Sequence, residues 1–330
     1  MENSNSAPAP VRAFMLLCGM MATQIVIALI KSRVFEAMGK EQKTAAEIAS
    51  ECSLNENVLS RTLRYAAQLD LVTKTGNSYS LTDIGRCFLK DTRGSFSTSA
   101  PFLTAPPWRD SWQNFSYSLQ TGKPAFDQVW GTSFFEFLET NEEYGKPFNQ
   151  MGTERSTMMA PTAVEAYDFS AFNTICDVGG GQGMLLKVIL ENNPQAKGIL
   201  FDLQNTVKNH VLGSLDNRFE VISGSFFENV PNADCIILKA IIHDWSDENS
   251  EKILSNCRRA LNPGGKLLLI EFVVEEPYNP MLLFADLHMQ VMIGGAERTE
   301  LEFRDLLQSA GFALNRIIPT KSGMVIIEAV

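Results

Sequence analysis

The stretch Thr174-Ile-Cys-Asp177-Val-Gly179-Gly-Gly181-Gln-Gly183-Met-Leu-Leu-Lys187 indicates the fold of this chain more clearly than any other. An apolar run ends in an acid, four glycines follow within five residues, and an amphipathic helix then begins. The pattern is typical of a strand, a tight turn and a helix start, by which an open α/β sheet holds a nucleotide-like ligand. Glycine adopts backbone angles that other residues avoid and lets the backbone approach a ligand closely. A glycine-rich turn without a ligand is the alternative interpretation.

The spacing of these glycines indicates which cofactor is bound. A dinucleotide site requires G-x-G-x-x-G, which brings a pyrophosphate onto the helix N-terminus. Here the glycines follow G-x-G-x-G, and Met184 stands where the final glycine would be. We therefore interpret the turn as a site for S-adenosylmethionine, which has no phosphate, rather than for NAD.

Four further apolar runs predict the rest of a parallel sheet. They follow a predicted helix at 183–192, and each is nearly continuous, as a strand buried on both faces requires. Asp202 ends the first run, about 20 residues past the glycines, where such folds place a carboxylate for ribose hydroxyls. Polar residues at the ends of several strands predict a site in the crevice there. The runs are 197–202, 219–226, 234–239 and 266–271.

The C-terminus predicts how the sheet is completed. Residues 312–319 and 323–330 are two apolar segments separated by a short polar turn. They predict a hairpin that closes a seven-stranded sheet, with the last strand antiparallel. The fold class is therefore α/β, with a Rossmann-like domain at 171–330.

Six motifs occur in an order that resembles a known family. The chain is similar to the small-molecule O-methyltransferases, which include plant caffeate and hydroxyindole methyltransferases and bacterial natural-product methyltransferases of secondary metabolism. The resemblance runs from about residue 12 to the C-terminus. It implies S-adenosyl-L-methionine as cofactor, a small-molecule acceptor and a homodimer. The motifs are Asp177-Val-Gly-Gly-Gly, Phe201-Asp202-Leu, Gly224-Ser-Phe-Phe, Lys239-Ala-Ile-Ile-His243-Asp244-Trp245-Ser-Asp247-Glu, Asn262-Pro-Gly-Gly-Lys266 and Gly294-Gly-Ala-Glu297-Arg298-Thr299.

The resemblance also implies a set of cofactor-binding residues. Asp202 is expected to accept hydrogen bonds from the ribose, and Phe226 to cover the adenine. Ser225 departs from the family, where most relatives have Asp to accept the adenine amino group, so the adenine contact is expected to change. The full predicted set is Gly179, Gly181, Asp202, Ser225, Phe226, Lys239 and Ser156.

The catalytic prediction rests on His243, which follows the fourth strand by a few residues. Methylating a hydroxyl requires removal of its proton, and a neutral imidazole with a pKa of about 6.5 can accept it at neutral pH. The resemblance assigns Glu271 and Glu297 as the acids that orient this base. Asp244 is expected to be structural. The alternative for Glu297 is an ion pair with Arg298 or a solvated position.

The acceptor pocket is predicted to be apolar and of aromatic size, because Met side chains adapt to planar ligands. A phenolic hydroxyl is the expected target. Gly152 stands where the family usually has Met, four residues after Phe148, so the local contacts are expected to differ. The predicted substrate residues are Phe148, Met151, Trp245, Met289 and Met292, with Phe126 nearby.

The N-terminal third predicts a different domain. Residues 1–10 are expected to be disordered and residues 11–38 helical. Helices at 44–50 and 57–69 and a hairpin at 72–81 predict a winged helix. We divide the chain into a winged-helix dimerisation domain at 11–95, a helical linker over the active site at 96–170, and the catalytic domain.

This linker is expected to contain a turn between helices at 118–126 and helices at 134–140 and 144–159. Most of its Phe and Met side chains are expected to be ordinary core residues.

Two alternative functions follow from these features. A winged helix with Arg61, Arg64 and Gln68 on one helix could read DNA. However, the net charge of −10 and the pI of about 5.0 disfavour a nucleic-acid partner. The second alternative is a relative that keeps the cofactor but hydroxylates, decarboxylates or rearranges its substrate, although such relatives commonly lose the His or its acids.

The remaining composition excludes other classes of protein. The apolar segment at 13–30 is marginal in length for a membrane span and contains Thr23 and Gln24, so we expect another chain to cover it. Six cysteines without paired spacing and three histidines predict reduced thiols, no metal site and a cytoplasmic location.

Overall fold

The computed structural model describes residues 7–90, 92, 94–215 and 217–330. They form two compact units, one ending at Ala105 and the other beginning at Pro106. The predicted disorder of residues 1–10 falls partly on residues 1–6, which lie outside the described residues, and it is wrong at its other end, where a helix begins at Ala9.

The first unit is a small helical domain with a three-stranded sheet. Its strands are β1 (Lys43–Thr44), β2 (Val72–Thr75) and β3 (Ser78–Leu81), in the antiparallel order β1-β3-β2. The predicted winged-helix elements are present: Thr44 and Glu47 form a reciprocal capping box at the start of α4, and the hairpin turns at Gly76 and Asn77. The helices are α1 (Ala9–Leu17), α2 (Gly19–Lys31), α3 (Val34–Met38), α4 (Ala45–Cys52), α5 (Glu56–Gln68), α6 (Asp83–Arg86) and α7 (Ser99–Leu103).

The prediction that residues 11–38 are helical is confirmed, although the helix is broken at two places. Helix α1 already begins at Ala9, and a bend of 50° at Cys18 separates it from α2. Arg33, in the left-handed conformation with φ of 58°, separates α2 from α3. An L-residue enters that conformation only as a single residue, so a helix cannot continue through it. Among the described residues no single helix is long and apolar enough to cross a membrane, although α1 and α2 together meet the criteria of length and composition.

The second unit begins with five helices that precede the sheet. Two sequence predictions are wrong at their edges here. The predicted turn at 118–126 is confined to residues 122–124, where Gly122 ends α9 with φ of 68°. The predicted helix at 144–159 extends through Pro161, because Ala160 and Ala163 are buried in the core. The helices are α8 (Pro106–Gln113), α9 (Phe115–Thr121), α10 (Ala125–Trp130), α11 (Phe134–Thr140) and α12 (Glu142–Ala166).

The seven-stranded sheet has the order β6-β5-β4-β7-β8-β10-β9. The first five strands in this order are parallel, and β10 pairs antiparallel with both β8 and β9. This confirms the predicted Rossmann-like fold and its closing hairpin. The elements are β4 (Thr174–Val178), α13 (Met184–Asn192), β5 (Lys197–Asp202), α14 (Gln204–Val207), β6 (Phe219–Ser223), β7 (Ala233–Lys239), α15 (Asp247–Ala260), β8 (Leu261–Glu271), α16 (Pro280–Met292), α17 (Glu300–Ser309), β9 (Leu314–Pro319) and β10 (Val325–Ala329).

Two hydrophobic cores lie on the opposite faces of this sheet. One contains residues of α12 and α13, and the other contains residues of α15 and α17. Alternate residues of β7 belong to each core: Cys235 and Ile237 to the first, Ile236 and Leu238 to the second. This burial on both faces explains the continuous apolar runs and leaves polar side chains to the strand ends.

Candidate active site

The glycine loop between β4 and α13 has the backbone that its sequence requires. Gly179, Gly181 and Gly183 have φ of 66°, 62° and 84°. A Cβ on Gly179 would lie 2.4 Å from the Ile241 side chain, whereas nothing lies within 4 Å of one on Gly181. Asp202, at the end of β5, accepts a hydrogen bond from the backbone N–H of Gly181 over 2.7 Å. The loop and the predicted ribose carboxylate are therefore adjacent.

Asp177, at the end of β4, is a residue whose role sequence reasoning missed. It is 1% exposed, and neither carboxylate oxygen makes a well-aligned hydrogen bond within the described chain, although the backbone N–H of Leu186 lies close enough to lower its pKa. Burial raises its pKa to about 7, although the positive charge of Lys239 opposes this rise. A buried polar group without a partner is costly, so this carboxylate is suited to a ligand with donor groups. The sequence feature that could have identified Asp177 is its position at the end of an apolar strand.

Lys239, at the end of β7, is a half-buried cation of this region. Burial and the charge of Arg155 lower its pKa, and the carboxylates of Asp177, Glu271 and Asp244 raise it. This part of the site can hold a polar, charged ligand.

The predicted adenine residues lie in the turn after β6. Ser225 Oγ accepts a hydrogen bond from the N–H of Phe227 over 3.3 Å. The Phe226 ring meets the edge of Trp245 at 5.8 Å, and Phe135 of α11 stacks on Trp245 at 5.5 Å. The structure therefore brings two predicted ligand residues into one aromatic cluster and adds Phe135, which the sequence did not single out.

His243 lies on a 3-10 turn, Ile242–Asp244, and is 8% exposed. Its Nδ1 donates to Oε1 of Glu297 over 2.8 Å, and its Nε2 lies 3.3 Å from Oδ1 of Asp244. Burial alone lowers the pKa of His243, but the charges of Asp244, Glu271 and Glu297 outweigh it and raise the pKa to about 9. Asp244, expected to be structural, thus lies directly beside the ring.

The two predicted orienting acids contact different parts of the histidine turn. Glu271 Oε1 accepts hydrogen bonds from the backbone N–H groups of Ile241 and Ile242, over 3.0 and 2.8 Å. Glu271 therefore holds the backbone that carries the base, whereas Glu297 contacts the ring. Each glutamate keeps one buried oxygen without a hydrogen-bond partner among the described residues, which leaves acceptor capacity in the site.

Arg298, which is 3% exposed, holds the opposite side of the same turn. Its guanidinium donates to the carbonyl oxygens of Ile242 and Trp245 over 2.9 and 2.8 Å, and to Asp247. Arg298 therefore pairs with Asp247, and Glu297 with His243, so the alternative in which Glu297 pairs with Arg298 is wrong. The sequence pattern did not predict this role of Arg298.

Five predicted residues lie on α12 and α16. Phe148 is half-buried and meets the Phe134 ring edge-on at 5.5 Å, while Met151 is half-buried. On α16, Met289 is half-buried and Met292 is 1% exposed. Ser156 is 8% exposed, and its neighbour Thr153 donates to Gln182 of the glycine loop over 2.7 Å. Their contact with a ligand stays a prediction.

Comparison with known proteins agrees with this geometry. Residues 112–313 match the family model of the O-methyltransferase domain, and residues 14–91 match that of the O-methyltransferase dimerisation domain. The segment that resembles a DNA-binding module thus matches a dimerisation domain.

The chain is also similar to whole proteins of this kind. It is 34% identical to the phenazine O-methyltransferase of Lysobacter antibioticus, over 99% of this chain and 98% of that one. The solved structure of a mitomycin 7-O-methyltransferase superposes with a TM-score of 0.89 at 29% identity, covering 97% of each chain. A neocarzinostatin-biosynthesis O-methyltransferase, solved with S-adenosyl-L-homocysteine and 1,4-dihydroxy-2-naphthoic acid, gives a TM-score of 0.80 at 28% identity, covering 94% and 95%. The chain therefore belongs to the S-adenosylmethionine-dependent O-methyltransferase family.

Proposed function

We propose that this enzyme methylates a phenolic hydroxyl of a small aromatic acceptor, with His243 as the general base. The observation that carries the proposal is the 2.8 Å hydrogen bond between His243 Nδ1 and Glu297. A base oriented by a third group is the arrangement expected for removing a proton from a nucleophile. With Nδ1 donating to the carboxylate, Nε2 is the nitrogen that accepts the acceptor's proton.

The residues around the glycine loop are proposed to hold S-adenosyl-L-methionine. Asp202 and Asp177 supply carboxylates for its hydroxyl and amino groups, Phe226 and Ser225 contact the adenine, and Lys239 supplies a cation. The unpartnered oxygens of Asp177 support this assignment. When bound, the cofactor supplies an electrophilic methyl group on a positively charged sulfur.

The proposed base requires an unprotonated Nε2. In the ligand-free enzyme the surrounding carboxylates favour the protonated ring, with a pKa of about 9. A positive charge placed near the ring lowers its pKa, because like charges disfavour the protonated form. The cationic cofactor is thus suited to prepare the base, and Glu297 holds the ring while Glu271 and Arg298 hold its turn.

Related proteins support an aromatic acceptor. The neocarzinostatin-biosynthesis enzyme was solved with a dihydroxynaphthoic acid, which is a planar aromatic hydroxyl compound. The half-buried Phe148 and Met151 and the buried Met292 are apolar side chains of the kind that line such pockets.

The dimerisation domain supports a homodimer through the first unit. Helix α1 has no buried residue, and it exposes Phe14, Leu16 and Leu17 by 64%, 84% and 75%. Large apolar patches on a protein surface mark interaction sites, and a second copy of the chain is the proposed partner.

His243→Ala tests the proposed function. Cofactor affinity, measured by calorimetry, is expected to be at least that of wild type, because removing a protonated ring relieves repulsion with the cationic cofactor. Turnover is expected to fall by about 10²–10⁴, the usual contribution of a positioned base. The loss should shrink for more acidic phenols, which ionise without help. His210→Ala, at a half-buried ring that packs on Phe219, is the control. Equal rates for His243→Ala and wild type on every phenol would exclude the base. Cofactor binding without methylation of any hydroxyl would favour the non-methylating alternative.

A further inference from the structure

Arg155 of α12 is a charged residue to which the proposed mechanism gives no role. Its side chain is exposed, and within the described parts of the chain its guanidinium makes no hydrogen bond or ion pair. Arg298 is the contrasting case, since its guanidinium is buried against three carbonyl oxygens and a carboxylate. An arginine near an active site without a protein partner is available to a ligand.

The position of Arg155 on its helix points toward the acceptor residues. Residues three, four and seven apart share one face of a helix, so Phe148, Met151 and Arg155 lie in one row. The next residue, Ser156, belongs with Ala160 and Ala163 to the buried side of α12. Arg155 therefore borders the row of side chains that the sequence assigns to the acceptor, at the end nearer the cofactor serine.

The electrostatics of the buried groups agree with this placement. The charge of Arg155 adds to burial in lowering the pKa of Lys239. Burial raises the pKa of Asp244, and the charges of His243 and Arg155 oppose that rise. Arg155 thus lies close enough to affect both the lysine at the end of β7 and the acid beside the base.

The charge of Arg155 acts on Asp244, but within the described chain its guanidinium makes no ion pair, which leaves its donors to solvent or to a ligand. Lys239 is surrounded by the carboxylates of Asp177, Glu271 and Asp244, and His243 by those of Asp244, Glu271 and Glu297. A guanidinium has a planar fork of donors that matches a carboxylate with two parallel hydrogen bonds. Aryl hydroxyls and ethers offer no comparable partner.

We propose that Arg155 binds a carboxylate group of a ligand. The carboxylate belongs either to the amino-acid end of the cofactor or to an acidic aromatic acceptor. If the acceptor carries the carboxylate, hydroxyarene carboxylates are the preferred substrate class. This second source rests on the proposed function. The first source rests only on cofactor binding.

The cofactor arm of the test compares Arg155→Gln with wild type by calorimetry. The ligands are S-adenosyl-L-homocysteine and its decarboxylated analogue. If Arg155 holds the cofactor, the variant should bind S-adenosyl-L-homocysteine roughly 10- to 100-fold more weakly, the size expected for a charge-assisted hydrogen-bond pair. Its affinity for the decarboxylated analogue should equal that of wild type. Arg304→Gln, which removes an exposed guanidinium of α17, is the matched control.

The acceptor arm uses 2-, 3- and 4-hydroxybenzoate and their methyl esters, with methyl transfer measured at saturating cofactor. If Arg155 holds the acceptor, wild type should prefer the acids in kcat/KM. Arg155→Gln should then raise KM for the acids at least tenfold, leave kcat and the esters unchanged, and keep normal cofactor affinity. Arg155→Lys should recover part of the loss, because it keeps the charge but not the fork.

The two arms together decide the proposal. An effect in either arm supports carboxylate binding and identifies its source. The proposal would be overturned if Arg155→Gln bound the cofactor as tightly as wild type and if its kcat/KM for the acids, relative to that for the esters, also equalled the wild-type ratio. Failure of wild type to methylate any hydroxyl would contradict the proposed function alone, because the cofactor arm would still test Arg155.

Discussion

Gly295 lies so close to His243 that a Cβ atom built on it would come within 2.0 Å of the histidine carbonyl oxygen. The same carbonyl accepts a hydrogen bond from the N–H of Ala296 over 2.9 Å. The segment that carries Glu297 is therefore packed directly against the backbone of the proposed base, and only glycine permits this approach.

Gly295→Ala is accordingly expected to displace the histidine turn. We expect kcat to fall by about 10²-fold, because small misplacements of catalytic groups are costly, while cofactor affinity is retained. Steady-state kinetics and calorimetry measure the two quantities. Gly213→Ala is the control, since nothing lies within 4 Å of a Cβ there. Wild-type kcat in Gly295→Ala would show that the turn tolerates the shift.

The pH dependence of the reaction should report the proposed base. The pKa of His243 in the ligand-free enzyme is raised from 6.5 to about 9. Since the unprotonated ring is the active form and kcat/KM reports the free enzyme, kcat/KM should rise with pH until about pH 9. Glu297→Gln, which removes one of the charges that raise this pKa, should shift the rise to lower pH. A kcat/KM that is flat from pH 6 to about pH 9 would contradict the assignment.

Asp177→Asn should stabilise the ligand-free enzyme in a pH-dependent way. Folding raises the pKa of Asp177 from 3.8 to about 7, so the folded state holds this proton more tightly and wild type loses stability as pH rises between those values. Asn cannot ionise, so the gain in the free energy of unfolding should grow to roughly 4 kcal/mol at pH 8. Urea unfolding at pH 4.5 and 8 measures it, with the exposed Asp305→Asn as control. A gain independent of pH would show that Asp177 does not titrate in this range.

Glu328→Gln should have the opposite effect. Glu328 of β10 is fully buried, and burial alone raises its pKa. Hydrogen bonds outweigh this effect and lower the pKa from 4.5 to about 2. The donors are Arg316, Tyr167, Asn315 and Lys266. This stabilisation is present above pH 4.5 and is lost as pH falls toward 2. We expect the variant to be less stable at pH 7 by roughly 3 kcal/mol, with the difference disappearing in acid. Glu300→Gln, at an exposed ion pair, should change little, and an equally small change at Glu328 would exclude this role.

The proposed homodimer can be tested on α1. Leu16→Glu and Leu17→Glu together should yield monomers in sedimentation velocity, because two charges would enter an apolar interface. Leu301→Glu, at a residue of the second unit that is 71% exposed, is the matched control and should not change the sedimentation coefficient. A dimer that survives both α1 substitutions would place the interface elsewhere.

The sequence by itself determined the sheet, the glycine loop and most helix starts. Strands buried on both faces appear as apolar runs, and the capping box at Thr44 is a signal contained within four residues. The same local logic placed Asp202 at the end of β5 and His243 a few residues after β7. Local patterns did not predict unusual backbone conformations. Arg33 adopts the left-handed conformation and breaks the helical segment that was predicted over 11–38.

Only the tertiary structure decided how the acids are divided around the base. Glu297 is 54 residues from His243 in the chain but accepts a hydrogen bond from the His243 ring. Glu271 accepts hydrogen bonds from backbone N–H groups at the turn that carries His243. Arg298 and Gly295 act on the same turn through its carbonyl groups. Sequence patterns report the burial and conformation of neighbouring residues. Which atoms meet across long loops depends instead on packing between strands and helices that the chain brings together only when it folds.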